Sequence, residues 1–361
     1  MTQYSVLVIG GCGFIGRHVV YHFVQASGFS LVSVLSRSAT NSANKINSAN
    51  YIAGDLADHE SILRVLQDLR PNVIIHAASP SPVTGTPKEY QKIAVDGTER
   101  LLNLAKDSTN VRVLIYTSSS TIAKGHEHLN LDESSPLADT DPKAPAYART
   151  KAMAEGMAET TLDWSGHLCT GALRLPICYG THDAMSIPRC LQALEKGQTN
   201  VQLEDGKNLW DFCSTDNAGN AHAVLTRALL APQKDEVKID GEAFHIHDGQ
   251  PWPFWDYAKS VWKLAGHRKP GGSIAALPVW FVSGLAAILE FLFWAFTFGR
   301  KRPQTLGKQQ VEYACYTHTY SIDKAKKRLG YVPMQDFEEE LAKGVNWSLE
   351  HDGWGKRLRE V

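Results

Sequence analysis

The chain has 361 residues, 43% hydrophobic and 21% charged, with a net charge of −1. That length suits one large α/β domain with a subdomain, and the composition excludes wholesale disorder. The charge balance gives no electrostatic reason to propose nucleic acid as a partner. Six cysteines (Cys12, Cys169, Cys178, Cys190, Cys213, Cys315) are scattered with no Cys-x-x-Cys pair, a spacing that fits neither a disulfide framework nor a structural zinc site.

In chain order, short β-branched runs alternate with longer helical patterns. Strands are expected at 5–9, 31–35, 51–53, 72–76, 111–116 and 171–175, and helices at 14–26, 58–69, 89–106 and 146–163. This alternation predicts a Rossmann-type, doubly wound parallel sheet over residues 1–180. A further strand near 242–247 returns to it, and 181–361 is mainly a smaller C-terminal substrate-binding subdomain. Helices are also expected at 186–198 and 214–230. The polar stretch 38–50 reads as a surface loop. No basic region precedes the first strand, so no signal peptide is expected and the catalytic part should face the cytosol.

"VLVIGGCGFIG" sets Gly10, Gly13 and Gly16 between the first strand and the first helix, with Phe14 and Ile15 opening that helix. A side chain at Gly10 would obstruct the turn, and one at Gly13 would block a pyrophosphate from the helix N-terminus. Gly16 lets the helix pack on the sheet. A glycine-rich turn with no ligand is the alternative. The second strand ends in Ser36 and Arg37, where an NAD-preferring site carries an acid. A guanidinium without a carboxylate favours NADP, with NAD the alternative and a merely solvated Arg37 the bland reading. Asp55 and Leu56 follow the third strand, where the Asp can meet an adenine, and Ala77 follows the fourth, as a cofactor wall requires.

The fifth strand ends in Ser118, Ser119 and Ser120. About thirty residues later Tyr147 and Lys151 stand one helical turn apart. Chance alone gives roughly one Tyr-x-x-x-Lys in a chain of this size, so context decides. Hydride transfer from a carbinol needs a proton acceptor near neutral pH, whereas a free tyrosine titrates near pH ~10. A neighbouring ammonium and an oxidised nicotinamide both favour the phenolate.

The glycine loop, "YTSS" and "YARTK" resemble those of the extended short-chain dehydrogenases. "RLPICYG", "FHIHDGQPWPFWDYAKSVWKLAGH" and "YSIDKAKKRLGYVP" narrow the resemblance to the 3β-hydroxysteroid dehydrogenase/isomerases and sterol-4α-carboxylate 3-dehydrogenases (decarboxylating). It spans nearly the whole chain. It implies Tyr147 as acid/base, Lys151 as ribose ligand and tuner of Tyr147, and Pro176 beside the nicotinamide. Ser119 would polarise the substrate oxygen, with Ser120 the alternative. The expected substrate is an apolar polycycle, a sterol, triterpenoid or meroterpenoid-like molecule. Its ring 3β-hydroxyl is oxidised, with or without loss of an adjacent 4-carboxylate. The alternatives are a dehydrogenase/isomerase, a plain ketoreductase, or a cofactor-binding scaffold that has lost catalysis. Two departures stand out: Ala94 occupies a place where the family often has Asn, and Ser36 replaces the usual acid.

Residues 277–298 form an apolar run of 22 with a single charge, Glu290, followed by Arg300, Lys301 and Arg302. As a helix it would be roughly 33 Å long. Glu290 within it, and catalytic-unit motifs beyond it, argue against a span. A peripheral or monotopic contact fits better, on the cytosolic face of the endoplasmic reticulum or a lipid droplet. A core helix or a homodimer interface is the alternative. The "HEH" (126–128) and "HIH" (245–247) pairs lack a third ligand at helical spacing, so no metal is expected.

Overall fold

A computed structural model describes residues 3–161, 167–232, 238–267, 274–297, 308–334 and 336–359. The six expected strands all form: β1 (Tyr4–Ile9), β2 (Phe29–Ser36), β3 (Asn50–Ala53), β4 (Val73–His76), β5 (Val113–Ser119) and β6 (Cys169–Leu175). A seventh, β7 (Glu242–His245), joins them. Their order is β7-β6-β5-β4-β1-β2-β3, with every neighbouring pair parallel. Strand order reverses between β1 and β4, and α/β sheets bind ligands at the carboxyl edge of such a switch point.

Alternation along β1 shows why the sheet is covered on both sides. Val6 and Val8 enter one core with Val19, Val20 and Phe23 of α1 (Phe14–Gln25). Leu7 and Ile9 enter the other with Ile62, Val65 and Leu66 of α2 (His59–Leu69). Residues 38–49 are a loop with turns, as expected up to the start of β3 at Asn50, and Arg17 Nη1 holds it by donating to the Asn44 carbonyl at 3.1 Å.

The expected helix over 89–106 is instead broken. A single turn, α3 (Pro87–Tyr90), starts on a capping box between Thr86 and Glu89 with Pro87 in the first turn. A π turn follows at Gln91–Val95, closed by the Asp96 N–H donating to the Gln91 carbonyl, and α4 (Asp96–Asp107) continues from it. The expected helix over 146–163 stops early. α5 (Ala146–Glu159) ends where the hydroxyls of Thr160 and Thr161 donate to the carbonyls of Gly156 and Met157, both at 2.6 Å. Residues 162 and 163 lie outside the described residues.

The remaining elements complete the cover of the main sheet and build a second layer beside it. α6 (Ser186–Glu195) ends before Gly197, which takes φ +67°, and α7 (Thr215–Leu230) lies beside α1 on the main sheet. α8 (Phe254–Leu264) packs its Tyr257 and Val261 into an aromatic core with Tyr179, Trp210 and Phe212. α9 (Val279–Thr297) buries Val282 and Ala286, one helical turn apart, against Val311 of α10 (Lys308–Cys315). α11 (Asp323–Leu329) covers the free edge of β7, with Lys324 Nζ donating to the Ala243 carbonyl at 2.8 Å. α12 (Phe337–His351) adds Leu341 and Val345 to the aromatic core. A four-stranded sheet of Trp252–Pro253, Leu209–Trp210, His318–Tyr320 and His128–Leu131 ties this layer to the first half of the chain.

Candidate active site

β5 ends in Ser118 and Ser119, Ser120 opens the 3-10 turn that follows it, and the three serines diverge. Ser120 Oγ donates to the Arg174 carbonyl at 3.2 Å and lies 3.0 Å from His245 Nδ1, within a fully buried network. Ser119 Oγ faces Thr121, accepting its N–H at 3.3 Å and pairing with its hydroxyl at 2.9 Å. Ser118 is buried on the sheet face beneath α5.

α5 places Tyr147 in its first turn and Lys151 one turn later. The Tyr147 ring meets Tyr90 edge to face, with centroids 5.6 Å apart. The ring keeps some access to solvent, but its surroundings are dense enough that burial pushes the phenol up to about 12. The nearby hydroxyls of Ser119 and Ser79 oppose that rise. Lys151 is buried, donates from Nζ to the Thr117 carbonyl at 2.6 Å, and sits 4.5 Å from the centre of the Tyr116 ring. Burial pulls it down to about 7, against the attraction of Glu155. A positive charge brought to this edge would favour the Tyr147 phenolate, because the present obstacle to ionisation is desolvation.

The space around the glycine loop is what a dinucleotide requires. Gly10 takes φ +86°, and a Cβ there would lie 2.7 Å from the backbone N of Ala78. At Gly13 a Cβ would meet the Gly10 carbonyl oxygen at 3.2 Å and nothing else within 4 Å, which leaves the space before the helix open. α1 starts there with no side-chain cap and no acidic residue in its first turn, so its N–H groups and dipole remain available to an anion. The residues fit a pyrophosphate. The need for Gly16 differs from expectation: its Cβ would strike the Gly10 carbonyl, so it packs the helix on the loop itself. Gly11 belongs to the same constraint, since its Cβ would lie 2.8 Å from the Val34 side chain. Phe14 and Ile15 form the first turn of α1.

Other candidates take varied positions. Ser36 ends β2 and pairs with Ser38 Oγ at 3.2 Å, and Arg37 beside it is exposed; hydrogen bonds from Thr86 hold the Glu89 carboxyl below its usual range, with Arg37 adding a smaller pull. Asp55 turns one oxygen onto its own loop, accepting the Ala57 N–H at 3.0 Å, while Leu56 is buried against α4 at Gly97. Ala77 donates its N–H to the Ile9 carbonyl at 2.9 Å. Pro176 joins β6 to the strand Ile177–Tyr179 and accepts a hydrogen bond from Cys178 Sγ.

Three neighbours of Tyr147 were not anticipated: Tyr90, Ser79 and Tyr313 of α10, whose phenol is raised by burial and further by the charge of an ionised Tyr147. The capping box at Thr86–Glu89 is the signal that could have ended the preceding loop and placed Tyr90. Tyr313 has none, since only the tertiary fold brings α10 there. The "HEH" and "HIH" pairs do converge. His128 Nδ1 lies 2.7 Å from the Tyr320 hydroxyl, His245 stacks on the Tyr320 ring, and His247 Nε2 lies 2.9 Å from the Tyr320 carbonyl. Among the described residues no group of three His, Cys, Asp or Glu is arranged to hold a metal.

A sheet edge of this kind, with its glycine loop below and a Tyr–Lys helix above, defines a nicotinamide-dependent oxidoreductase acting on CH–OH groups. The chain belongs to the 3-beta hydroxysteroid dehydrogenase/isomerase family, whose sequence model matches residues 7–278. It is 31% identical over 352 residues to the decarboxylating sterol-4-alpha-carboxylate 3-dehydrogenase of Saccharomyces cerevisiae, covering 95% of this chain and 97% of that one. The Schizosaccharomyces pombe enzyme of the same description is 32% identical over 96% and 98% of the two chains. The Bos taurus enzyme is 26% identical over 94% and 90%. Among solved structures, gox2253 superposes with a TM-score of 0.74 at 21% identity, covering 97% of this chain and 99% of the other. The Bordetella bronchiseptica enzyme WbmH, solved with NAD+, gives 0.70 at 16% identity with the same coverage. These two likenesses concern the fold.

Proposed function

We propose that this protein oxidises the 3-hydroxyl of a sterol 4-carboxylic acid, or of a closely related polycyclic acid, to the ketone and releases the carboxylate as carbon dioxide. The observation that carries the reading is the seating of α5 on the end of β5, where Lys151 Nζ, one turn from Tyr147, donates to the Thr117 carbonyl two residues before Ser119 at 2.6 Å, in a chain that resembles the decarboxylating sterol dehydrogenases over almost its full length. A nicotinamide ring bound above the glycine loop would supply hydride acceptance. Tyr147 takes the hydroxyl proton, Ser119 holds the substrate oxygen, and buried Lys151 keeps positive charge close to the phenolate. Pro176 walls the nicotinamide end. The new ketone lies β to the carboxylate, so the C–C bond electrons move into it as carbon dioxide leaves. The resulting enolate is reprotonated, and no further residue is needed.

The preferred cofactor is NADP, because Ser36 removes the acid that would repel a 2′-phosphate and exposed Arg37 stands next to it. α9 supports contact with a bilayer. It is about 28 Å long. Trp280, Ile288, Phe291, Trp294 and Phe296 are all exposed. Among the described residues it is the one helix long and apolar enough to cross a membrane by length and composition. Phe298 and the basic cluster at 300–302 lie outside the described residues. The narrow stripe buried on α10 supports docking from one leaflet at the cytosolic face of the endoplasmic reticulum or a lipid droplet. A homodimer is compatible with this placement.

Incubation with a 3β-hydroxy-4-carboxysterol and either NADP or NAD, with products read by mass spectrometry, tests the reading. Loss of two hydrogens and carbon dioxide, faster with NADP, is expected. Oxidation with the carboxylate retained would reduce the function to a plain dehydrogenase, and faster turnover with NAD would overturn the cofactor assignment.

A further inference from the structure

The register of the main sheet gathers polar side chains beneath α5 that the acid/base step does not use. His76 on β4 lies opposite Tyr116 on β5, and Ser118 lies opposite Arg174 on β6. Register partners in parallel strands share a face, as do residues two apart. All four therefore lie on the face that carries Lys151 and Glu155 of α5, and Arg174 binds Glu155 Oε1 from both Nε and Nη2, at 2.9 and 2.7 Å. His76, Tyr116, Ser118 and Glu155 are buried. Each keeps one polar atom without a partner among the described residues: His76 Nδ1, Tyr116 OH, Ser118 Oγ and Glu155 Oε2. Native interiors rarely leave such a patch unpaired, and ordered water is the usual partner.

Two contacts tie the patch to Lys151. Its Nζ lies 4.5 Å from the centre of the Tyr116 ring, and the His76 ring meets the same ring edge to face at 5.2 Å. A hydrogen-bond chain then fixes the tautomer of His76. Thr98 Oγ1 donates its proton to the Ala94 carbonyl at 2.5 Å, so it can only accept from His76 Nε2, 3.0 Å away. Nε2 carries the ring proton, and Nδ1 is left as a bare acceptor. Burial, with the charge of Lys151 adding to it, drives this imidazole down to about 3, so it stays neutral throughout the working range.

We propose that His76 is a positioning residue: its bare Nδ1, with the Tyr116 hydroxyl, holds the water through which Lys151 exchanges the proton that Tyr147 takes from the substrate. The step moves protons and no electrons: Lys151 regains one from the Tyr147 side as it gives an N–H proton to that water, and the water passes one of its own to the unpartnered Glu155 Oε2 of the same patch. Glu155, Arg174 and Glu159 are further charged groups beside it, with Arg174 Nη2 4.0 Å from Glu159, and Glu133 and Lys324 act on this cluster from its edge. The inference rests on the reading of Tyr147 and Lys151 as the acid/base pair.

Two substitutions separate the roles of the two ring nitrogens. His76→Gln keeps a donor where Nε2 meets Thr98 and removes the acceptor at the δ position, whereas His76→Asn does the reverse. Sterol-acid oxidation by each would be followed across pH and in mixtures of light and heavy water, with thermal midpoints recorded alongside. The expected result is a kcat for His76→Gln lower by on the order of ten-fold at unchanged KM, with an altered proton inventory. His76→Asn should keep the wild-type inventory. Equal losses in both variants that track their thermal midpoints, or a wild-type inventory in His76→Gln, would overturn the proposal. Tyr147→Phe is the parallel control: activity retained there would sink the acid/base reading itself, whatever His76 does.

Discussion

Tyr90 and Tyr147 meet edge to face with ring centroids 5.6 Å apart, and the Tyr90 hydroxyl donates to the Ser81 carbonyl at 2.7 Å. The proposed acid/base is thereby clamped from the loop that follows β4, through a residue at the end of a one-turn helix.

Tyr90→Phe should leave the ring contact intact and cost about 1 kcal/mol of stability, the worth of a typical hydrogen bond. Turnover should change by less than about three-fold. Tyr90→Leu removes the aromatic edge, and kcat should fall further than stability does. Steady-state kinetics beside thermal melts check this; equal kcat values in the two variants would contradict the clamp.

The pair of Arg174 and Glu155 is buried on both sides, at 2.7 Å. Breaking it leaves an uncompensated charge in the interior, so Arg174→Met should cost about 3–5 kcal/mol in urea unfolding. The double variant Arg174→Met, Glu155→Leu should recover a large part of that loss. A single variant as stable as wild type would show that the buried pair does not support the fold.

The pH dependence follows from Lys151. Its pKa in the folded chain is depressed to about 7 by burial, below the value near 10.4 of an unfolded lysine. Between those values the unfolded state binds the extra proton, so stability from this site rises with pH. Below pH 7 the charged group is buried at full cost. Lys151→Met should therefore raise the melting temperature most at and below neutrality, with the gain shrinking as pH climbs toward 10. A gain independent of pH would mean the ammonium is not the source. The same variant should lose activity through its missing charge beside Tyr147.

The surface of α9 gives a separate test. Phe291→Asp with Trp294→Asp alters two side chains that are 64% and 60% exposed, so the fold should be unaffected. Binding to phosphatidylcholine vesicles in a flotation assay should drop at least ten-fold. Undiminished flotation would move the contact elsewhere.

Much of this was legible in the chain because it is local. The strands of the main sheet are continuous β-branched runs, and the glycine loop constrains its own backbone, so Gly10 and Gly13 could be read from spacing alone. Ser119 and Tyr147 could be placed at the carboxyl edge of the sheet because each sits at the end of an element. The π turn at Gln91–Val95 was not legible, since Thr98 reaching back to Ala94 leaves the apolar periodicity unchanged. Nor was the seam around Tyr320, where His128 and His245 meet a strand nearly two hundred residues from the first of them. Tyr313 escaped for the same reason: its proximity to Tyr147 is a product of packing between layers.

The measurement that bears most directly on the account uses a 3β-hydroxy-4-carboxysterol carrying deuterium on the carbinol carbon and heavy carbon in the carboxylate. The account predicts deuterium in the reduced nicotinamide and labelled carbon dioxide released in equal amount, both abolished in Tyr147→Phe. Deuterium transfer with the label kept on the sterol, or undiminished transfer by Tyr147→Phe, would contradict it.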